Sequence, residues 1–405
     1  MKQINIYFFL FVFLIFNNFF YLLTQDSDSN QKDSDWKENQ ITLYIKSLEQ
    51  VLKENPSIKC LHCLGKFPYD FPPFLEPKYP NKGIFEECFI LSIPQGKVQG
   101  FSGNVLIGDS IIKEMIWAQD INSLKDLVVV PENSIINLPY KVAVIVQNAS
   151  YNYCHFLHEV LGRLALLEMY NIEYDYILVP YHKPFMRELL NLWGIDSNKI
   201  IFINDNNACI QANELILPSL LLNTDVGFAH AGFHPHPKTS LYVKEKLSKA
   251  LNSLNLDTQK FSKKVFISRQ DAPQRKIINE NEIFALFEPY GFVRYEMSKL
   301  SVLDQIVIMQ NADIVVGEHG AGLTNILFCK SGTLVIELFQ KLIDSGYWWA
   351  SNLIGLKYIP INTLKQDTSW AVDWRLYGNK YSQAWASKTN VSMDEIRTVI
   401  EKYFE

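Results

Sequence analysis

The stretch "DIVVGEHGAGLTNILF", residues 313–328, decides how this chain is read. Asp313 to Gly317 has the β-branched, apolar character of a buried strand. Glu318 to Gly322 reads as the turn at its carboxyl end, and a helix is expected to begin near Gly322 or Leu323. The first N–H groups of a helix have no partner within it. The helix dipole adds partial positive charge at the same end. Gly320 and Gly322 lack side chains, so a ligand can come close to the backbone. These are the properties of a phosphate site. The spacing G-x-x-G-x-G is neither the dinucleotide fingerprint nor a P-loop. Taken alone it also fits a tight strand-to-helix turn that holds nothing.

Working outward, the second half alternates strands and helices. "KKVFISR" reads as a strand, "NENEIFALFEPYG" as a helix, "FVRYEM" as a strand, "SVLDQIVIMQNA" as a helix and "TLVIELF" as a strand. The first half shows the same alternation in "KVAVIVQ", "HFLHEVLGRLALLEMY", "YDYILVP", "KPFMRELLNLWG", "NKIIFIN" and "NELILPS", and "LVVVP" at residues 127–131 is a further expected strand. Alternation of this kind implies α/β units with parallel sheets. The lysine-rich "KTSLYVKEKLSKALNSL" lies between the two and reads as a linking helix. Residues 41–54 have helical spacing of apolar residues, and Ser392 with Glu395 forms a capping-box pattern before a last helix.

Ligands of open α/β sheets sit beyond the carboxyl ends of the strands. Arg269 follows the strand "KVFIS" at such an end, with Arg275 six residues on. Arginine forks bind phosphate oxygens in pairs. Glu337 closes the strand "TLVIE" at the same edge and suits the two hydroxyls of a ribose. Backbone amides, two cations and a carboxylate at one edge together favour a nucleotide diphosphate.

These residues also carry a resemblance. Ser268-Arg269, Arg275, Asn279-Glu280, Gln305, Ala312-Asp313 and the run His319 to Asn325 resemble the hallmarks of the glycosyltransferase 61 family, once called DUF563. The likeness is tight over about 75 residues and extends in looser form over roughly residues 140–340. It implies a GT-B fold: two Rossmann-like, doubly wound domains facing a cleft, with the donor held mainly by the second. It further implies inverting sugar transfer without an essential metal, a UDP-sugar as donor substrate with no other cofactor, and a protein, glycan or polysaccharide hydroxyl as acceptor. His319, Gly320, Ala321, Gly322, Leu323, Thr324 and Asn325 become the expected donor-binding run beside Arg269, Arg275 and Glu337. His319 either donates to a diphosphate oxygen or caps the turn.

An inverting transfer needs a base for the acceptor hydroxyl. "YNYCHFLHEVLGR" supplies the candidates His155 and Glu159, four apart on one helical face, and His155 matches the family's N-domain histidine. Arg163, one turn on, is the expected ion-pair partner of Glu159. Readings from other classes are a non-catalytic carbohydrate- or nucleotide-binding protein and a nucleotide-sugar epimerase or phosphorylase on the same scaffold.

Composition limits the alternatives. The chain has 405 residues, a formal charge of −5 and no long basic run, which gives no case for nucleic acid. Its six cysteines are too sparse for a disulfide scaffold, and the lone pair Cys60 and Cys63 reads as ordinary thiols or one disulfide to Cys88. Neither that pair nor the histidines of "HAGFHPHP" at residues 230–237 has the partners a metal site requires. Residues 4–23 are uncharged and long enough to span a bilayer, after Lys2 and before an acidic stem. The resulting expectation is a single-pass type II protein of a secretory lumen, with a bacterial cytoplasmic membrane as the alternative. The organisation is then a signal-anchor and stem (1–40), an acceptor-side α/β domain (41–240), a donor-binding α/β domain (241–365), and a tail (366–405) whose helix packs back across both.

Overall fold

The computed structural model describes residues 44–64, 67–70, 82–85, 88–116, 130–180, 183–203, 205, 207–221, 236–254, 256–257, 260–272, 276–339, 346–362 and 390–405. The apolar segment 4–23, most of the strand expected at 127–131, Arg275, and His230 and His234 all lie outside them. Among the described residues, no helix is long and apolar enough to cross a membrane.

The chain forms a mixed α/β structure with two large sheets. In the first, β1 (Tyr44–Lys46), β2 (Lys59–Leu64), β5 (Cys88–Pro94), β6 (Lys97–Gln99), β7 (Asn104–Ile107) and β8 (Ser110–Ile112) precede β9 (Ile136–Val144), β10 (Tyr176–Pro180), β11 (Ile200–Ile203) and β12 (Cys209–Pro218). A separate two-stranded ribbon pairs β3 (Phe67–Asp70) with β4 (Lys82–Phe85). Strands β12, β9, β10 and β11 run parallel in that order, as the alternating pattern predicts. The other side differs from a doubly wound sheet, because β5 and β6 both pair antiparallel to β12 and β6–β7–β8 is a meander. Tight turns through left-handed Gly103 (φ 61°) and Gly108 (φ 60°) reverse the chain between β6 and β7 and between β7 and β8.

The second sheet is wholly parallel, in the order β14 (Val293–Glu296), β13 (Lys264–Ser268), β15 (Ile314–Glu318), β16 (Leu334–Phe339) and β17 (Lys357–Asn362). The chain leaves β13 toward β14 and returns on the other side as β15. The carboxyl ends of β13 and β15 therefore flank a topological switch point, where the connections diverge and leave a crevice.

Two sequence expectations change. Residues 41–54 are not one helix, since Tyr44–Lys46 pairs with β8 and α1 (Leu48–Glu54) starts only after Ser47. Ser47 and Gln50 form a reciprocal capping box that fixes this start. After Gly320 the chain enters a 3-10 helix, Ala321–Phe328, in place of the expected α-helix. Its tight winding begins where the Leu323 N–H bonds back to Gly320 O at 2.9 Å.

The remaining helices follow local signals. Segment 153–169, α2, is helical throughout, with a π-helical stretch at Phe156–Val160. Helix α3 (Pro184–Trp193) opens on a proline and stops at left-handed Gly194, and it buries Met186, Leu189, Leu190 and Trp193. Helices α4 (Pro237–Asn252), α5 (Glu280–Phe287), α6 (Val302–Asn311) and α7 (Gly346–Ile354) follow. The last, α8 (Met393–Phe404), is capped by Ser392 and lays Ile396, Ile400 and Phe404 on the outer face of the second sheet, against Phe287 and Phe292. Its expected place is across both units; its apolar stripe belongs instead to that one cluster.

One apolar core joins the two sheets. Leu161, Leu164 and Ile145 from the first share it with Val243 and Leu247 of α4, and with Val265, Ile306, Leu323 and Leu327 from the second. Leu327 is fully buried there. Leu327→Ala should cost about 2–5 kcal/mol. Because the core is shared, chemical denaturation should still show one transition at lower denaturant; loss of one sheet ahead of the other would contradict this packing.

Candidate active site

At the switch point, Ser268 ends β13 with Arg269 directly after it, and Glu318 ends β15. Glu280, the first residue of α5, is fully buried and accepts from Ser268 Oγ (2.7 Å) and from the Arg269 N–H (3.1 Å). The Asn279-Glu280 pair thus fixes the exit of β13, while Asn279 exchanges two 2.9 Å bonds with the backbone of Val391. The Arg269 side chain is 12% exposed and crosses the turn, its Nε 4.0 Å from Glu318 Oε2.

The glycines serve different ends from those the sequence suggests. Gly320 is extended (φ 166°), a conformation open to any residue, but a Cβ there would lie 2.0 Å from Arg269 Nη1. Gly320 therefore makes room for the guanidinium. At Gly322 a Cβ would stand 3.1 Å from Ile267 Cγ2, so this glycine lets the 3-10 helix lie close on β13. The Gly320 carbonyl is held inward by the Tyr347 hydroxyl at 2.7 Å. A trans peptide points its C=O and the next N–H in opposite directions, so the Ala321 N–H faces away from Tyr347. Ala321 and Gly322 are the half-buried members of the turn, and Gly320 is buried.

Three residues of the expected donor-binding run turn inward. Leu323, Thr324 and Asn325 are fully buried. Thr324 Oγ1 lies 3.3 Å from the Tyr347 hydroxyl. Asn325 donates to Gln305 Oε1 (2.9 Å) and Gly322 O (3.3 Å) and accepts from the Tyr153 hydroxyl (2.8 Å). Their side chains shape the turn, and what faces outward is main chain. Glu337 is likewise fully buried, with Oε1 2.6 Å from His319 Nδ1 and Oε2 accepting from the Tyr358 hydroxyl at 2.5 Å. Protein donors engage both of its oxygens, in place of an open edge for a ribose.

The Tyr153–Asn325 bond ties the first turn of α2 to the glycine turn. Two residues on, His155 is 20% exposed and its Nδ1 meets Glu159 Oε1. Glu159 is fully buried, and its other oxygen accepts from the Gln147 amide, just beyond β9. A histidine backed by a buried carboxylate is held in one orientation. His158 instead faces Ser240 Oγ at 3.3 Å, and burial first, then the nearby His155, push it down to about 3. Arg163 does not serve as the expected simple partner of Glu159: it donates to Val146 O (2.6 Å) and to Pro218 O (3.0 and 2.6 Å). Burial lowers it to about 9, and Glu159 opposes that shift.

Elsewhere Cys209 and Cys329 are buried thiols, and among the described residues no disulfide joins Cys60 to Cys88. His236, the described member of the histidine-rich loop, is buried and lowered to about 4 by desolvation, then by Lys238. Among the described residues no His, Cys, Asp or Glu cluster is arranged to hold a metal.

Tyr153, Gln147, Tyr347, Tyr358 and Glu318 were missed by sequence reasoning. Tyrosines in an aromatic-rich chain carry no local signal, and the contacts that matter span up to 172 residues.

A segment of the chain, residues 153–336, matches the family model Glycosyltransferase 61. It opens at Tyr153 and takes in the His155–Glu159 pair, Arg269 and the glycine turn. The chain is 35% identical over 101 residues to the EGF domain-specific O-linked N-acetylglucosamine transferase of Canis lupus familiaris and to that of Bos taurus, a stretch covering 24% of this chain and 19% of each relative. The protein of that name from Drosophila melanogaster is 32% identical over 96 residues, 23% of this chain and 18% of its own. The match therefore spans about a fifth of those relatives' length.

Glu318 offers a pH test. Burial, aided by the charge of Glu280 and opposed by the Ile277 N–H (3.1 Å) and by Arg269, raises it to about 8. A raised carboxyl favours the folded state while protonated. Its contribution is complete below the ordinary value of 4.5 and is lost as pH rises through about 8. Thermal melts of wild type and Glu318→Gln should therefore converge at about pH 5 and separate by about pH 8, with the variant the more stable at high pH. Parallel curves would contradict this environment.

Proposed function

We propose that the protein is an inverting glycosyltransferase that moves a sugar from a uridine diphosphate donor to a hydroxyl of a protein or glycan. The observation that carries this is the convergence of an anion-facing turn and a carboxylate-backed histidine, joined by the Tyr153–Asn325 bond. Supporting it are the glycosyltransferase 61 match and relatives named as O-linked N-acetylglucosamine transferases. Uridine diphosphate N-acetylglucosamine is accordingly the first donor to test.

In this reading the two sheets act as the halves of a GT-B enzyme, with carboxyl edges facing one cleft. The Arg269 guanidinium and the Ala321 and Gly322 amides take the diphosphate, and Arg275 adds a second cation. Preorganised donors of this kind stabilise a leaving group as its charge develops. The acceptor oxygen attacks the anomeric carbon from the side opposite the diphosphate, whose bond to that carbon breaks. His155 Nε2 takes the hydroxyl proton, and Glu159, through Nδ1, stabilises the imidazolium that forms. No metal is needed, because cations and amides neutralise the diphosphate. Anchored through residues 4–23, the enzyme would work in a secretory lumen, facing luminal proteins or glycans.

The roles separate in kinetics. Arg269→Ala should weaken UDP binding by about tenfold or more in calorimetry, as loss of a charge-assisted fork does. His155→Gln should leave that affinity within about threefold while lowering turnover about 10²–10⁴-fold, as loss of a general base does. Turnover is read as UDP release with acceptor present. Donor binding without UDP release or sugar transfer, across a panel of acceptors, would identify a binding protein instead.

A further inference from the structure

The His319–Glu337–Tyr358 chain of hydrogen bonds lies behind the anion-facing turn, and its last two members fall outside the matched family segment. We propose that Glu337 and Tyr358 are positioning residues that keep the His319 ring doubly protonated, with Nδ1–H on Glu337, so that Nε2–H is the edge presented to the donor's diphosphate. This deepens, and rests on, the nucleotide-sugar reading above.

The bonding pattern supports it. A carboxylate only accepts, so the 2.6 Å contact places a proton on His319 Nδ1 and the 2.5 Å contact uses the Tyr358 hydroxyl as donor. The imidazole is confined on its faces. Phe339 stacks on it with centroids 5.6 Å apart and planes 18° apart, and Tyr347 stands at 5.3 Å. The His319 N–H is bonded to Leu338 O at 3.0 Å, which fixes the main chain immediately before Gly320. On this proposal the Nε2 edge is the one that addresses a ligand at the turn. The His319 side chain is 9% exposed and Glu337 is fully buried, so water screens the pair weakly. A carboxylate at that distance favours the imidazolium, which carries N–H on both nitrogens. Among the described residues, Glu337 from β16 is bonded to the ring, Tyr347 from α7 borders it, and Tyr358 from β17 is bonded to Glu337; Glu318 lies on the adjoining strand and Arg269 against Gly320. Of these, Glu337 and Tyr358 are the ones bonded in line with Nδ1. The same Tyr347 that turns the Gly320 carbonyl inward also borders the ring, so the imidazole and the turn are held by one support.

The test uses the full chain labelled with ¹⁵N-histidine, with His319→Gln to assign the resonances, and UDP as ligand. In the wild type, Nδ1 of His319 should stay protonated from about pH 5.5 to about pH 8. Glu337→Gln should lower the pH at which the ring loses its second proton by about one unit or more. Tyr358→Phe should raise it, because the carboxylate loses a competing donor. UDP affinity of Glu337→Gln should fall about fivefold or more near pH 7.5 and recover near pH 5.5, where the ring is protonated without help. An equal loss at both pH values, or His319 titration unmoved by both substitutions, would overturn the proposal. Should Glu337→Gln fail to fold, the upward shift in Tyr358→Phe still decides it. If the wild type binds no UDP, the donor reading falls with its diphosphate, while the titrations still decide the pairing.

Discussion

A single peptide unit constrains the candidate site. The carbonyl of Gly320 is drawn into the interior by the Tyr347 hydroxyl and by the Leu323 N–H. Planarity then sends the Ala321 N–H the other way. A second buried side chain, Asn325, takes the Gly322 carbonyl. The turn is thus held by its acceptors. Arg269 lies over the same turn because Gly320 has no Cβ to exclude it. The course of the main chain at the turn is set by buried side chains, Tyr347 and Asn325.

Asn325 links this arrangement to the other half of the molecule. Its amide serves the turn and Gln305, and its oxygen takes the Tyr153 hydroxyl from the start of α2. Tyr153 is packed edge-on against Phe185 at 5.2 Å, and burial raises its hydroxyl well above the ordinary range, so it stays a neutral donor. The His155–Glu159 pair follows on the same helix, with Glu159 inside the buried π-helical stretch that starts just after His155. Such stretches often occur at functional sites, where an extra residue redirects side chains. The shared core beneath, with Leu323 and Leu327 against Leu161 and Leu164, keeps the two groups in register.

Much of this was legible in the sequence. The parallel strands of the second half, the strand-to-turn geometry after Val316 and the position of Arg269 at a carboxyl end all follow from short β-branched apolar runs alternating with helices and from glycine placement. So does the meeting of His155 with Glu159, from spacing alone. Other parts were not legible. The antiparallel side of the first sheet is set by turns in a stretch without strong periodicity. The reason for Gly320 and Gly322 was misread, because the sequence cannot show that a guanidinium and Ile267 are what approach them. Glu337 looked like a ribose ligand by its position, yet its partners His319 and Tyr358 come from neighbouring strands and are visible only in three dimensions. Tyrosines at 153, 347 and 358 act through single hydroxyls, and nothing local distinguishes them from ordinary core aromatics.

The most direct test of the account is an experimental structure with UDP bound. The account predicts pyrophosphate oxygens at hydrogen-bond distance, about 3 Å, from the Ala321 and Gly322 nitrogens and from the Arg269 guanidinium. A diphosphate bound at another edge of the sheet, with those amides still turned toward solvent, would contradict it.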